Sequence, residues 1–332
     1  MYHRLLRTRP THRQYPLRHL IVTIVCDKHI PFLAEAIRRH WPDVIVRELD
    51  AEAINADSVH NANAIVIRTR TKVDAGLLEG SRVTLVCTAT IGFDHIDTAW
   101  CEQQHIRWTA CPGCNAQAVC DYIEEALNEL HVHGTIGIVG VGHVGSLVAQ
   151  MAQKRGLNVL LNDPPKRIGV SLTQIARQCD VITFHTPLTH NGLYPSFHLC
   201  DARFLAQTKP NALIINAARG GIVDETALLA SKRPFVLDTW ENEPHINPSV
   251  ATAAQRASMH IAGYSQEGKR NATQMCLDAL ADTFHLPKIT LPDTLLSSEQ
   301  GDIAPGWLQR ITTRLQSHPE HFESLRRNYP LR

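Results

Sequence analysis

Three side chains that lie far apart in the chain could together remove hydrogen from a 2-hydroxy acid: Arg219, Glu243 and His260. Such a site needs a fixed cation to hold the acid's carboxylate and polarise the reacting oxygen, and a planar guanidinium does both with forked donors. It needs a group titrating near neutrality to take the hydroxyl proton, which suits an imidazole. A carboxylate beside that imidazole selects its tautomer and stabilises its charged form. Each residue also has a plainer reading: a surface charge, a turn residue before Pro244, and a strand-end histidine. Taken singly, the plain readings win. What reverses them is shared placement. Each residue follows or ends an apolar run that reads as a strand of one parallel sheet, and such ends converge on one cleft.

Residues 135–145 mark that cleft. An apolar run over 135–139 stops at Gly140, and an amphipathic helix follows with Val144, Leu147, Val148 and Met151 on one face. Gly140, Gly142 and Gly145 form G-x-G-x-x-G at the strand-to-helix turn. The first glycine permits the tight turn, the second lets the backbone approach a pyrophosphate, and the third lets helix pack on strand. His143 and Val144 open the helix, whose free N–H groups and positive dipole end suit phosphates. The next run, over 158–162, ends at Asp163, where a dinucleotide fold needs a carboxylate for the ribose hydroxyls. A carboxylate there repels a 2′-phosphate, so the expected cofactor is NAD rather than NADP.

The elements that must position these groups alternate between strand and helix, which implies parallel sheets with helical crossovers. A smaller first unit has strands expected over 20–26, 64–67, 83–88 and 106–109, and a helix over 31–41 between Pro31 and Pro42. Two of its loops carry polar groups at strand ends. One is Arg68-Thr69-Arg70-Thr71-Lys72, whose cations and hydroxyls suit a phosphorylated ligand and equally a solvated surface. The other is residues 88–94, with Thr88, Thr90 and Asp94. A helix over 115–130 leaves this unit. The dinucleotide unit then has strands over 135–139, 158–162, 181–185, 212–216, 235–238 and 259–262, and a helix over 266–284 returns. The expected fold is therefore α/β. A Rossmann unit spans 116–262, and a smaller flavodoxin-like α/β lid for substrate spans 20–115 and 263–285. A shortened C-terminal segment covers 286–332.

A chain of 332 residues accommodates two such domains. Hydrophobic content of 44% and charge of 20% are ordinary for a globular protein, and a formal net charge of +1 offers no field for nucleic acid or membrane. No apolar run is long enough to span a bilayer. Nine cysteines without a secretory signal fit reduced thiols in a cytoplasm. Residues 1–19 hold Arg4, Arg7, Arg9, Arg13 and Arg18 and no acid, and read as a disordered basic tail. Cys111 and Cys114 form a C-x-x-C without a second ligand pair, so no metal is expected. Cys114 sits where a helix N-terminus would lower its thiol pKa.

These residues resemble the D-2-hydroxyacid dehydrogenases. The family-level match rests on the glycine turn with Asp163, on Asn216-x-x-Arg219-Gly220, on Asp238-x-Trp-x-x-Glu243-Pro244, and on His260-Ile-Ala-Gly263. Narrower motifs are similar to the branch that oxidises 4-phospho-D-erythronate with NAD in pyridoxal phosphate synthesis. They are Thr88-Ala-Thr-x-Gly-x-Asp94-His95, Pro112-Gly-Cys-Asn115-Ala116, Asp163-Pro164-Pro165, Phe184-His-Thr-Pro187, and Tyr264 before Glu267-Gly268-Lys269. The resemblance implies His260 as general base, Glu243 as its partner and Arg219 as carboxylate clamp. It implies Thr186, Ala217, Ala218, Asp238 and Gly263 at the cofactor beside Asp163 and the glycine turn, and Thr69, Thr90 and Tyr264 at a phosphorylated 2-hydroxy acid. It further implies a homodimer, with residues 322–329 echoing part of the dimerisation domain. Other substrates on the same fold, phosphoglycerate or hydroxypyruvate, stay open, as does a non-catalytic NAD sensor. The chain departs from the branch at Asp27-Lys28-His29-Ile30-Pro31, at Thr69 and Arg70, at the bulky Ile91 and Phe93, in the short connection 130–134, and in its brief C-terminus.

Overall fold

The computed structural model describes residues 21–293 and 304–330, so the basic tail lies outside the described residues. The chain builds two parallel sheets, each with its own core. The smaller unit contains β1 (Thr23–Asp27), β2 (Ile45–Leu49), β3 (Ala64–Ile67), β4 (Leu85–Thr88) and β5 (Arg107–Thr109). Their spatial order is β2-β1-β3-β4-β5, all parallel. This is the flavodoxin-like order, whose ligands bind beyond the carboxyl ends of the strands. β3 and β4 are buried along their whole length, as expected of strands covered on both faces. Helices Leu33–His40 and Gln266–Phe284 contribute to one face, with Ile37, Cys276, Leu277 and Leu280 in its core. Val59, Leu77, Leu78 and Cys101 pack on the other.

The larger unit contains β6 (Thr135–Val139), β7 (Asn158–Asp163), β8 (Ile168–Gly169), β9 (Val181–Phe184), β10 (Leu213–Asn216), β11 (Phe235–Leu237) and β12 (Arg256–Ala257). The order is β12-β11-β10-β9-β6-β7-β8, and β8 alone runs antiparallel to its neighbour. The chain reverses direction of build-out between β6 and β9, which sets the crevice at the end of β6 where the glycine turn lies. Helix Ala116–Glu129 buries Tyr122, Ile123, Ala126 and Leu127 in this core, so the connection from the smaller unit is a packed helix. The short connection after it closes through Gly134 at φ 95°, where an added Cβ would lie 2.4 Å from Asp180 Oδ2.

Three elements differ from the sequence reading. β2 was not expected, because its Ile-Val-Arg-Glu-Leu run carries charges; it is an edge strand largely open to solvent. β8 is two residues long and ends on Gly169, whose backbone touches Leu161 O. No strand forms over 259–262. The last strand is β12, and His260 lies in the loop beyond it with φ 57°.

The described C-terminal residues pack on the larger unit of the same chain. Trp307, Leu308, Leu315, Phe322, Leu325 and Tyr329 join its core. Thr312 Oγ1 hydrogen-bonds both the N–H and the carbonyl of Ala257, which caps the open edge of the sheet at β12. No helix among the described residues is long and apolar enough to cross a membrane.

Candidate active site

Two glycines of the turn are required by the backbone, and the third opens onto free space. Gly140 has φ 92°, and a Cβ there would press on the backbone of His185 and Thr186 at 2.8 Å. At Gly145 a Cβ would lie 2.0 Å from Gly140 O, so only glycine lets the helix start this close to the strand. A Cβ on Gly142 would meet nothing within 4 Å: this glycine faces open space. Gly142 is also the N-cap of helix His143–Lys154 and supplies no side-chain cap, leaving N–H groups for an incoming anion.

Asp163 ends β7 beside this turn. Its Oδ2 accepts from Val141 N at 2.8 Å and its Oδ1 from Lys166 N at 3.3 Å, which aims the carboxylate across the mouth of the turn. Thr186 follows β9, and its Oγ1 is buried without a hydrogen-bond partner. A buried hydroxyl lacking a partner costs free energy unless a ligand supplies one. Open space before the turn, uncapped helix N–H groups and this hydroxyl together fit a bound dinucleotide.

Loops at the ends of β10 and β11 carry Arg219 and Glu243 and pack on each other. Asn216 donates to Arg219 O at 2.8 Å and accepts from Ala218 N at 3.1 Å, folding residues 216–219 into a tight turn. Ala217 is buried and Ala218 half-buried along it. The next residue, Gly220, packs directly on the following loop: a Cβ would sit 1.8 Å from Trp240 O. Glu225 clamps that loop from below, its Oε1 accepting from Glu241 N at 2.7 Å. On the loop, Glu243 Oε1 accepts from Trp240 N and its Oε2 faces His260 Nδ1, both at 2.8 Å. Burial alone would push the Glu243 carboxyl up. The His260 bond and charge, the Trp240 N–H and the charge of Arg326 outweigh it and hold the carboxyl below its usual range. An ionised Glu243 takes the proton on Nδ1 as donor and leaves His260 Nε2 as the free acceptor.

His260 is placed by Asp238, a fully buried carboxylate. Asp238 accepts from Ile261 N at 2.7 Å, Ala262 N at 3.0 Å and Ser258 Oγ at 2.7 Å, while its carbonyl accepts from His260 N at 2.8 Å. Both carboxylate oxygens are thus engaged within the protein, and the residue shapes the loop under the cleft. Gly263 adjoins the hinge, where Asn115 Nδ2 donates to its carbonyl at 3.1 Å.

The smaller unit faces this assembly across the crevice. A Cβ on Gly92 would lie 3.5 Å from Arg219 Nη2, so loop 88–94 lies against the guanidinium. The Arg219 guanidinium forms no ion pair among the described residues and donates to Ala218 O, at 2.7 Å. Thr90 Oγ1 donates to Gly92 O at 2.9 Å and meets Thr88 Oγ1 at 2.6 Å, which in turn meets His95 Nε2 at 3.0 Å. Burial lowers the His95 pKa, which favours the neutral ring at the end of this chain of hydroxyls. Phe93 packs on Trp108 with ring centroids 4.9 Å apart, beside the loop rather than across the cleft. Thr69 is exposed at the end of β3, and Tyr264 is half-buried beyond Gly263.

Comparison with known proteins gives this geometry a context. Residues 121–262 match the family model described as D-isomer specific 2-hydroxyacid dehydrogenase, NAD binding domain. The chain is 42% identical to erythronate-4-phosphate dehydrogenase of Bacteroides fragilis, over 93% of this chain and 96% of that one. It is 37% identical to the enzyme of that name from Coxiella burnetii, over 94% and 93%. The chain belongs to the erythronate-4-phosphate dehydrogenase family of D-2-hydroxyacid dehydrogenases. It is an NAD-dependent oxidoreductase of that family. Two solved structures share its fold. A D-lactate dehydrogenase of Aquifex aeolicus complexed with NAD and lactic acid matches at TM-score 0.59 and 20% identity, covering 78% of this chain and 95% of that one. A glyoxylate/hydroxypyruvate reductase of Sinorhizobium meliloti matches at 0.68 and 19%, covering 82% and 97%.

Within this family member the C-x-x-C is packing. Cys111 is buried, with its thiol 3.8 Å from Cys276 Sγ and 3.3 Å from the carbonyls of Thr88 and Ala272. Burial pushes the Cys114 thiol up to about 12, opposite to the helix-terminus effect expected of it. The loop 68–72 also differs from the anion-binding reading. Arg68 is tied to buried Asp27 at 2.9 and 3.2 Å, Lys72 lies 2.8 Å from Asp74, and Arg70 reaches to within 4.0 Å of Glu52. Two contributors went unnoticed in sequence: Arg326, whose charge reaches Glu243 from the C-terminal helix, and Glu225 under the loop. No local pattern marks either, since both act through tertiary packing.

Proposed function

We propose that this chain oxidises 4-phospho-D-erythronate at its 2-hydroxyl to 2-oxo-3-hydroxy-4-phosphobutanoate, as a step in pyridoxal 5′-phosphate synthesis. The observation that carries the reading is the His260–Glu243 pair at 2.8 Å, with Arg219 on the neighbouring loop and without a carboxylate partner among the described residues. Arg219 binds the substrate carboxylate with forked donors and polarises the C2 oxygen. His260 Nε2 takes the hydroxyl proton, and ionised Glu243 stabilises the imidazolium that forms. The C2 hydrogen leaves as hydride to NAD, which supplies the acceptor when bound. Gly140, Gly142, His143, Val144 and Gly145 would hold its pyrophosphate. Asp163 would hold the ribose, while Thr186, Ala217, Ala218, Asp238 and Gly263 line the rest. Thr69, Thr90 and Tyr264 would contact the phosphorylated acid. The full-length likeness to relatives of that name supports the substrate, and we place the enzyme in the cytoplasm as a homodimer.

The test is a panel of acids with NAD, following NADH. The expected outcome is turnover of 4-phosphoerythronate well above glycerate, lactate and 3-phosphoglycerate, with NAD preferred to NADP because of Asp163. Preferred turnover of 3-phosphoglycerate, or none of any acid, would reject this function.

A further inference from the structure

A phosphorylated substrate needs a cation for its phosphate, and the loop that looked suited to the task offers no preorganised one. Arg68 is held by Asp27, Lys72 by Asp74, and Arg70 is exposed beside Glu52. Arg219 belongs to the carboxylate end. Lys269 remains. It forms no ion pair among the described residues, and it is half-buried rather than out in solvent.

We propose that Lys269, paired with Tyr264, anchors the phosphate of the substrate and sets the preference for a phosphorylated over an unphosphorylated 2-hydroxy acid. The proposal rests on the function proposed above and names the group that reads the far end of that substrate. Lys269 Nζ sits 4.5 Å above the Tyr264 ring centroid and 3.3 Å from its Oη. The ring therefore fixes the ammonium by cation–π attraction and by a hydrogen bond in which Lys269 donates. Two consequences follow for an anion. The Tyr264 hydroxyl accepts from lysine and keeps its own proton to donate. The ammonium keeps two further N–H donors. A phosphate offers acceptors to match, and its charge would meet a preorganised cation rather than a mobile one.

The position fits as well. Lys269 lies in the first turn of helix Gln266–Phe284, whose positive dipole end favours an anion. Tyr264 belongs to the turn just beyond His260, with its N–H on Ile261 O at 2.9 Å. Thr273 Oγ1 lies 3.1 Å from Lys269 O and 2.9 Å from Pro31 O, which ties this turn to the loop after β1. The loop after β3, with Thr69, is bound to the end of β1 through Arg68 and Asp27. Lys269 thus lies on a helix that runs from the loop carrying His260 to the chain after β1, on the side of the carboxyl ends of the smaller unit's strands, where open α/β sheets bind ligands.

The experiment compares kcat/KM for 4-phosphoerythronate and for erythronate in wild type, Lys269→Met, Lys269→Arg and Tyr264→Phe. Loss of a charge-assisted contact predicts a fall of about 30- to 100-fold on the phosphorylated acid in Lys269→Met. The fall on erythronate should be at least tenfold smaller. Lys269→Arg should recover part of the loss, and Tyr264→Phe should lose about tenfold, again selectively. NAD affinity, read by protein fluorescence, checks that each variant is folded. An equal loss on both acids in Lys269→Met would overturn the assignment of Lys269 while leaving the proposed function standing. A wild-type enzyme that ignores 4-phosphoerythronate would reject that function, and the Lys269 assignment with it.

Discussion

The two units handle their polar groups in opposite ways. In the larger unit, the residues around the reacting centre are over-determined. Asp238 holds one loop with three donors, Glu225 and Gly220 lock the next, and Asn216 shapes the turn under Arg219. In the lid, the polar groups facing the cleft sit on loops closed by a few local bonds, such as Thr90 to Gly92 and Thr88 to His95. Rigid placement is what proton and hydride transfer demand, since small displacements of reacting groups cost rate steeply. Substrate choice tolerates adjustable loops.

Substitutions in the two units test this contrast. The largest effect is expected at His260. His260→Asn removes the proton acceptor and should lower kcat by about 10³- to 10⁴-fold while NAD still binds; near-normal turnover would remove His260 from the chemistry. Arg219→Ala should follow, with kcat/KM down by about 10²- to 10³-fold and both KM and kcat changed, because the clamp holds the ground-state carboxylate and binds the transition state more strongly still. A rise in KM alone would make Arg219 a binding residue only. On the lid side, Thr90→Val keeps the shape and removes the hydroxyl. It should cost about tenfold, mostly in KM, and a loss as large as that of His260→Asn would abolish the proposed division between the halves.

The smallest effect is on stability. Burial holds His185 down to about 4, although part of its ring surface stays accessible, and it pushes the Glu225 carboxyl up to about 7. A lowered histidine contributes stability that is present above its unfolded value of about 6.5 and lost as pH falls towards 4. A raised carboxyl contributes stability that is present below its unfolded value of about 4.3 and lost as pH rises through 7. Between pH 4.5 and 6.5 the two oppose each other, each worth up to about 3 kcal/mol. Glu225→Gln should remove the offset, so Tm should fall more steeply with acid in the variant than in wild type. Parallel Tm curves would show that the larger unit has no such balance. In the lid, burial lowers His95 as well.

Much of the larger unit was legible because its signals are local. A glycine turn needs three glycines at fixed offsets, and a fully covered parallel strand reads as a continuous apolar run. The expected ends of β6, β9, β10 and the helix Gln266–Phe284 lie within a residue or so of the observed ones. β2 was hidden because an edge strand with one wet face carries charges, and β8 because two residues make no pattern. The strand expected at 259–262 failed for a different reason: Asp238 captures the N–H groups of Ile261 and Ala262 that a ladder would need.

Residue types and spacing by themselves determined a dinucleotide turn, an acid–base pair and a carboxylate clamp, because each requires particular side chains near particular breaks in the hydrophobic pattern. Tertiary structure alone decided which charges are free to act. Arg68 looked like part of an anion site in one dimension, yet buried Asp27, forty-one residues away, holds it in space, while Arg70 only approaches Glu52 and Lys72 pairs locally with Asp74. Lys269 looked like one more helix cation until Tyr264 fixed it without a counter-ion. A charge is available to a ligand only where folding leaves it unmatched, and matching is a property of distance in three dimensions rather than of order along the chain.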